Sequence, residues 1–329
     1  MKTLAVAVLA LQITGAGATF PYPFYSKAFS EYSAKHPDVT IAYQAVGSAN
    51  GIASFTSKSV DFGASDVPMN DDELKRAESG GGRVIEFPTT LGGVAITYNL
   101  TSLRPGIKLS RAVLADIYLG KITNWNDPKI AALNLDTPVP LPNLPIVVVH
   151  RADGSGTTYH FTDFLSHVSP AWKTRVGAAK SVHWPTANAV AGTGNDGVAQ
   201  AVGRTVGAIG YVELTYALTN NLSQVTLQNR AGTWLTCTPH GIEVAAETRP
   251  AISPNDFSIV DTGAPDAWPI SAFSWAMVYQ SPADKARAKA TKEMLLWLVG
   301  EAQPIAGALH YVPLPSNIVR YSTAQISRM

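Results

Sequence analysis

Residues Ile146–Leu165 read IVVVHRADGSGTTYHFTDFL and combine a strand, a turn of small residues and the beginning of a helix. The first four residues are apolar and β-branched, which is typical of a buried parallel strand. In the turn, Arg151 and Asp153 precede Gly154–Thr157, and apolar side chains then recur at helical spacing. Such a helix start presents free backbone N–H groups and partial positive charge to an anion, and Arg151 adds a bidentate fork. The segment therefore predicts an oxyanion-binding site.

The composition narrows the kinds of ligand that such a site serves. The chain has 329 residues, enough for two domains, and its charged residues make up 15% of it with a net charge of +1. Nucleic-acid binding needs a basic surface, so no nucleic-acid partner is expected. Cys237 is the single cysteine and the seven histidines lack metal-ligand spacing. We therefore predict no metal, no cofactor and no disulfide within the chain.

The first residues of the chain resemble an export signal. A lysine is followed by an apolar run from Leu4 to Leu11, which is too short to span a membrane. We expect an exported, soluble protein in which residues 1–10 are a signal remnant, the alternative being the first strand of a cytoplasmic protein. Cleavage after Ala18 fits the small-residue rule but would remove a glycine loop, whereas cleavage after Ala10 would keep it. No cysteine lies near the start, so no lipid anchor is expected.

Two earlier segments, residues 14–20 and 46–51, share the design of residues 152–158: a strand, small polar residues and then a helix. Strands alternate with helices along most of the chain, which predicts an α/β fold with mostly parallel sheets. Ligands of such sheets bind beyond the carboxyl ends of the strands. Three helix N-termini that converge there would hold a small tetrahedral anion without a high net charge.

The predicted strand Val60–Ala64 leads into Ser65 and Asp66, and Asp66 bears on which anion is bound. Its carboxylate either caps the next segment or faces the ligand. An ionised carboxylate only accepts hydrogen bonds, so it repels an anion that brings no proton. Phosphate near neutral pH keeps at least one proton and sulfate keeps none. A ligand-facing Asp66 therefore predicts selection of phosphate over sulfate.

Two other interpretations of the motifs remain open at this stage. Ser155, with His150 or His160 nearby in sequence, would serve a phosphomonoesterase or a serine hydrolase, although it lies outside a Gly-x-Ser-x-Gly motif. Gly192–Gly197 match the dinucleotide pattern GxGxxG, and Glu213 follows at about the spacing of a ribose-binding acid. The residues before that pattern are alanine-rich and predict a poor strand, which disfavours a dinucleotide site.

Several longer motifs resemble one family. They are RADGSGT (151–157), GAGATFP (15–21), DFGASD (61–66), DIYLGKI (116–122), GND with AIGYVE (194–196 and 208–213) and AWPI (267–270). Along the chain they run in the same order as in the phosphate-binding protein of the bacterial phosphate-specific ABC transporter, which the sequence resembles from about residue 11 to the C-terminus. The resemblance implies a two-lobed periplasmic-binding-protein fold of type II, with a mostly parallel sheet and flanking helices in each lobe and the ligand in the cleft between them.

The resemblance also implies the site, the lobes and the partners. It assigns 11–90 and 271–329 to lobe I and 91–270 to lobe II, with chain crossings near Leu91 and Ile270. It implies a monomeric, non-enzymatic periplasmic receptor that delivers phosphate to membrane permease subunits, the alternative being a receptor for another oxyanion. Asp153 is expected to pair with Arg151. The residues implied to contact phosphate are Thr19 and Phe20, largely through their backbone, and Ser48, Asp66, Arg151, Ser155, Gly156 and Thr157.

Overall fold

The structure, a computed structural model, describes residues 10–100, 106–136 and 140–329, so nine of the ten residues of the expected signal remnant lie outside it. The strands are β1 (Leu11–Gly17), β2 (Val39–Ala45), β3 (Phe62–Ser65), β4 (Val84–Tyr98), β5 (Lys108–Leu109), β6 (Val147–Arg151), β7 (Ala189–Gly192), β8 (Ala208–Glu213), β9 (Ser223–Gln224), β10 (Thr226–Gln228), β11 (Trp234–Leu235) and β12 (Ser271–Tyr279). The helices are α1 (Tyr22–Lys35), α2 (Ser48–Thr56), α3 (Asp71–Gly81), α4 (Arg111–Tyr118), α5 (Pro128–Ala131), α6 (Gly156–Val168), α7 (Pro170–Arg175), α8 (Gly194–Arg204), α9 (Leu214–Thr219), α10 (Pro239–Glu247), α11 (Lys285–Val299), α12 (Gln303–Ala308) and α13 (Ser316–Ile326).

The main sheet has the strand order β2-β1-β3-β12-β4-β8-β6-β7, with β9 added beside β4. Pairing is parallel among β1, β2 and β3 and among β6, β7 and β8, as the sequence predicts. The central strands β12 and β4 pair antiparallel with their neighbours, so the sheet is mixed where the sequence predicts mostly parallel pairing. The reason is that β12, which comes from near the C-terminal end of the chain, is antiparallel to both β3 and β4, and β4 is antiparallel to β8.

Strand β4 joins the two halves of the sheet. Its residues 84–93 pair with β12, and its residues 94–98 pair with β8. The strands β1, β2, β3 and β12 belong to the segments assigned to lobe I, and β6, β7 and β8 to lobe II. At the change of partner, the indole N–H of Trp268 donates to the carbonyl of Val94 (3.0 Å). The pairing partner of β4 changes from β12 to β8 between Gly93 and Val94, so this point of the strand joins the two lobes.

Strand β7 corrects one expectation. The alanine-rich residues before Gly192 form a regular strand that pairs in parallel with β6. Strand β7 ends the strand order, and Val190 remains 38% exposed. An edge strand in this position is held by backbone pairing and needs few large apolar side chains, which is why composition underestimates it. The same strand–turn–helix design therefore occurs a fourth time, at β7 and α8.

The main hydrophobic core extends through both halves of the sheet and includes Trp125, Trp172, Trp268 and Trp275, all fully buried. Among the described residues, no helix is both long enough and apolar enough to cross a membrane. Across 10–100, 106–136 and 140–329, no group of three or more histidine, cysteine, aspartate or glutamate side chains is arranged to hold a metal ion.

Candidate anion-binding site

Arg151, the last residue of β6, brings the positive charge to the cleft, and its side chain is 1% exposed. Its Nε donates to Oδ1 of Asp153 (2.8 Å) and its Nη2 pairs with Oδ2, so the fork is held in one orientation. The same Oδ1 accepts the N–H of Gly194 (2.9 Å). Burial opposes ionisation of Asp153, but these hydrogen bonds and the arginine charge hold its pKa below the ordinary value. The remaining Nη1 lies 3.4 Å from the hydroxyl of Thr157.

The first turn of α6 supplies backbone donors beside this arginine. Ser155 is the N-cap, and its hydroxyl accepts the N–H of Thr158 (3.1 Å). Gly156 and Thr157 are the first two helical residues, whose N–H groups have no partner within the helix. The N–H of Gly156 donates instead to the hydroxyl of Ser48 (3.1 Å), which belongs to lobe I. The helix N-terminus therefore faces the other side of the cleft.

Lobe I presents a hydroxyl and a carboxyl group to this helix start. Ser48 begins α2, is fully buried, and donates to Oδ2 of Asp66 at 3.4 Å while accepting the Asp66 N–H at 3.2 Å. Asp66 directly follows β3 and is 1% exposed. Burial raises the pKa of Asp66 to about 7, although a hydrogen bond from Ser274 and the charge of Arg151 oppose the shift. Asp66 therefore faces the cleft and does not cap an exposed segment.

Thr19 and Phe20 lie just before α1, and the side chain of Thr19 contacts lobe II. The hydroxyl of Thr19 accepts hydrogen bonds from the backbone N–H (3.2 Å) and side-chain amide (2.8 Å) of Asn195. The carbonyl of Thr19 accepts from Tyr216 (2.7 Å), and that of Phe20 accepts from Tyr311 (2.6 Å). These tyrosines fix the backbone that leads into the helix.

Glycine residues let the two sides of the cleft come into contact. A Cβ atom on Gly156 would lie 2.5 Å from Cβ of Asp66, and one on Gly154 would lie 2.4 Å from Cβ of Ala49. The N–H of Ala49 donates to the carbonyl of Gly154 (3.0 Å) across the cleft. The structure thus brings most of the sequence-predicted residues to one cleft, and Phe20 adjoins them as the neighbour of Thr19 in the chain. The residues at the cleft are Thr19, Ser48, Asp66, Arg151, Asp153, Ser155, Gly156 and Thr157.

Sequence reasoning missed Asn195 as a member of this cleft. Its side-chain amide donates to the hydroxyls of Thr19 and Thr157 (3.3 Å), and its Oδ1 accepts the N–H of Glu213 (2.9 Å). Asn195 is fully buried at the start of α8. The signal was present, since residues 192–195 repeat the design of the other three loops. Because the alanine-rich residues before this loop predict a poor strand, the sequence alone does not group it with the other three.

Sequence reasoning also missed Ser274, whose hydroxyl donates to Oδ1 of Asp66. No local pattern marks this serine, since it lies within the apolar strand β12 and comes near Asp66 only through strand pairing.

Comparison with known proteins places the chain in a family. A family model described as a PBP superfamily domain matches residues 5–301. The phosphate-binding protein PstS of Xylella fastidiosa is 42% identical over 313 residues, which cover 94% of this chain and 83% of that protein. PstS of Methanocaldococcus jannaschii is 37% identical over 321 residues, covering 92% and 82%. The chain belongs to the PstS family of phosphate-binding proteins. The resemblance noted in the sequence is thereby confirmed.

Solved structures support the predicted fold class of this PstS protein. A phosphate-binding protein from Stenotrophomonas maltophilia superposes with a TM-score of 0.74 at 21% identity, covering 96% of this chain and 94% of that one. A high-affinity periplasmic phosphate-binding protein bound with phosphate, PfluDING, gives a TM-score of 0.74 at 23% identity, with coverage of 96% and 92%. These likenesses confirm the periplasmic-binding-protein fold.

The geometry of this PstS protein disfavours the hydrolase alternative. The hydroxyl of Ser155 caps α6, and the two histidines near it in sequence are engaged elsewhere. His160 donates from Nε2 to the backbone carbonyl of Asp66 (2.8 Å) across the cleft, and Nδ1 of His150 contacts the carbonyl of Arg151 (3.0 Å). Neither contact directs an imidazole at the serine as a general base would require.

The dinucleotide alternative fails for a reason other than the one expected from sequence. Strand β7 does precede Gly192–Gly197, so the expectation of a poor strand is wrong. However, the carboxylate of Glu213 is fully buried and accepts the N–H of Thr215 (2.9 Å), so it is not free for a ribose. A Cβ on Gly192 would lie 2.5 Å from the backbone nitrogen of Val198. This glycine therefore serves close packing of strand and helix.

Proposed function

We propose that this PstS protein binds inorganic phosphate in the cleft between its two lobes and delivers it for import by an ABC transporter. The protein is a binding protein and not an enzyme, as its family membership indicates. The observation that carries the proposal is the pairing of opposite groups across the cleft. Arg151 and the start of α6 supply charge and donors, and the buried carboxyl group of Asp66 supplies an acceptor. A partly protonated oxyanion satisfies both.

Each predicted contact residue has a role in this proposal. Arg151, held by Asp153, donates to the anion from its free edge, and the hydroxyls of Ser48, Ser155 and Thr157 add further donors. Backbone N–H groups of Gly156 and Thr157, and those of Thr19 and Phe20 at the start of α1, complete the shell. The carboxylate of Asp66 accepts a hydrogen bond from the protonated oxygen of phosphate. The fixed Arg151–Asp153 pair and the first turns of α1, α2 and α6 support these assignments.

We further propose that 11–90 with 271–329, and 91–270, move as two lobes about the crossings near Leu91 and Ile270. The change of β4 from β12 to β8 at Val94 and the start of β12 at Ser271 support hinges at these points. Phosphate would stabilise the closed form because its ligands come from both lobes.

The cellular setting is proposed on the same basis. We expect export to the periplasm as a soluble monomer, and docking onto the membrane permease subunits of a phosphate ABC transporter. The PstS relatives and a solved relative described as periplasmic support this setting.

Calorimetric titration of the purified protein with phosphate and with sulfate at pH 7.5 tests the function. We expect tight phosphate binding and little sulfate binding. Equal affinities would remove the proposed role of Asp66, and preference for sulfate or another oxyanion would replace phosphate as the ligand. Turnover of a chromogenic phosphate ester that is lost in Ser155→Ala would instead favour the hydrolase.

A further inference from the structure

Ser274 lies directly across the sheet from Asp66. Strand β12 runs antiparallel to β3 with Trp275 paired to Ser65, so the next position places Ser274 opposite Asp66. Opposed residues of neighbouring strands project from the same face. The hydroxyl of Ser274 is fully buried and donates to Oδ1 of Asp66.

The backbone holds this serine in place. The register between β12 and β4 shifts between Ser274 and Trp275, which leaves Thr89 of β4 without a paired residue. The hydroxyl of Thr89 donates to the carbonyl of Ser274 (3.2 Å), and Tyr25 contacts the same hydroxyl. An irregularity in a ladder beside a functional site re-aims side chains. Here the shift lies at the serine that contacts Asp66.

This contact determines which carboxyl oxygen faces the ligand. With Oδ1 occupied by Ser274, Oδ2 is the oxygen turned toward α6, since a Cβ on Gly156 would lie 2.6 Å from it. Ser48 also approaches Oδ2, at 3.4 Å. Because the hydroxyl of Ser274 donates a hydrogen bond to Oδ1, Oδ2 is the oxygen at which Asp66 accepts a hydrogen bond or carries a proton.

We propose that Ser274 is a positioning residue that sets the anion selectivity of the cleft by keeping Asp66 an ionised acceptor with Oδ2 facing the ligand. This inference rests on the proposed binding of phosphate. A buried carboxyl group without donors becomes protonated and then donates a hydrogen bond, so it no longer repels an anion that lacks a proton. Three interactions lower the pKa of Asp66, and the hydrogen bond from Ser274 lowers it more than the charge of Arg151 or the hydrogen bond from Ser48 does.

Other titratable groups surround Asp66 and remain in place when Ser274 is changed. They are Arg151, Asp153, His160 and Glu213 from lobe II, and Tyr25 and Tyr43 from lobe I. Burial lowers the pKa of His160 and raises the pKa values of both tyrosines, so these three groups stay neutral near pH 7. The variant Asp66→Asn keeps these groups and Glu213. Its sulfate affinity as a function of pH therefore shows the pH dependence that does not come from Asp66.

Sulfate is the probe for the test, because it carries no proton between pH 5 and 8.5 and its affinity therefore reports the protonation of the protein. Sulfate is titrated by calorimetry across this range into the wild type, Ser274→Ala and Ser274→Thr. Wild-type sulfate affinity is expected to rise as the pH falls and Asp66 becomes protonated. The rise in Ser274→Ala is expected to begin about 1–2 pH units higher, because a hydrogen bond to a buried charge is lost. Ser274→Thr is expected to restore the wild-type profile.

Two further measurements separate this role from a structural one. Asp66→Asn alone and Asp66→Asn with Ser274→Ala are expected to give the same sulfate profile, because Ser274 acts through Asp66. Infrared spectra of ¹³C-aspartate-labelled protein, assigned with Asp66→Asn, measure the carboxyl titration without any anion and are expected to show the same displacement. An undisplaced titration in Ser274→Ala, or a weakening of sulfate binding that is the same at every pH, would overturn the inference. Failure of the wild type to bind phosphate would instead reject the proposed function, and the infrared titration would still test Ser274.

Discussion

The two sides of the cleft are assembled in different ways. On the lobe II side, residues 151–157 are consecutive and carry the arginine, its partner Asp153 and the start of α6. On the lobe I side, Ser48, Asp66 and Ser274 come from α2, the end of β3 and β12, and the last two are 208 residues apart. Charge and donors need only one short motif, since backbone dipoles and one guanidinium supply them. A carboxyl group that selects between anions, such as that of Asp66, needs burial and neighbours from elsewhere in the fold, because these determine its pKa.

Removing the charge on the lobe II side is expected to have the largest effect. Arg151→Ala should weaken phosphate binding by about 10³–10⁴-fold, because the anion loses its cation and the buried carboxylate of Asp153 loses its partner. Calorimetry measures the loss. Arg249→Ala, which breaks the more exposed pair with Asp256, is the control and should leave the affinity unchanged. A loss below tenfold in Arg151→Ala would assign the affinity to the backbone donors instead.

The burial that acts on Asp66 also acts on Glu86, away from the proposed ligand contacts. Burial raises the pKa of Glu86 to about 7 from an ordinary value of 4.5, even though the N–H of Met69 donates to it (2.8 Å). The folded protein then binds more protons than the unfolded chain between pH 4.5 and 7, so stability falls as the pH rises through this window. The contribution is about 3 kcal/mol. Chemical unfolding across this range should show a smaller decline in Glu86→Gln than in the exposed control Glu247→Gln, and equal declines would contradict this account.

Changing the acceptor on the lobe I side should alter selectivity more than affinity. Asp66→Asn replaces an oxygen acceptor with an amide that can also donate, so the ratio of phosphate to sulfate affinity is expected to fall by about 100-fold. Competition titrations with both anions measure this ratio. Asp61→Asn, in the same segment but bonded to Thr14 (2.7 Å), serves as the matched control and should keep the wild-type ratio. An unchanged ratio in Asp66→Asn would place the selectivity on the lobe II side.

A smaller effect is expected from an ion pair that joins the two sides outside the ligand shell. Lys180 donates from Nζ to both carboxylate oxygens of Glu73 (2.7 and 2.8 Å), and the two side chains are 16% and 14% exposed. Lys180→Met should raise the phosphate dissociation rate by up to about tenfold in stopped-flow measurements, because the pair stabilises the closed form. Lys121→Met breaks a pair with Asp116 within lobe II and should not change the rate. Equal rates in both variants would show that the pair does not contribute to closure.

Much of the lobe II side could be predicted from the sequence. The β-branched run, the turn of small residues and the helical spacing after it predict β6, the loop and α6 because each depends on neighbours in sequence. The strand β7 could not be predicted, because its formation depends on backbone pairing with β6 at a sheet edge. For the same reason Asn195 was missed, although its loop repeats the design of the others.

The sequence by itself determined the strand–turn–helix loops, the position of the arginine beside one of them and the presence of Asp66 at a strand end. These features follow from local backbone preferences and side-chain chemistry. Only the tertiary structure decided that Ser274 contacts Asp66, that Asn195 links Thr19 to Thr157 and that the central strands run antiparallel. These contacts join residues far apart in the chain, and burial at the place where they meet raises the pKa of Asp66 to about 7.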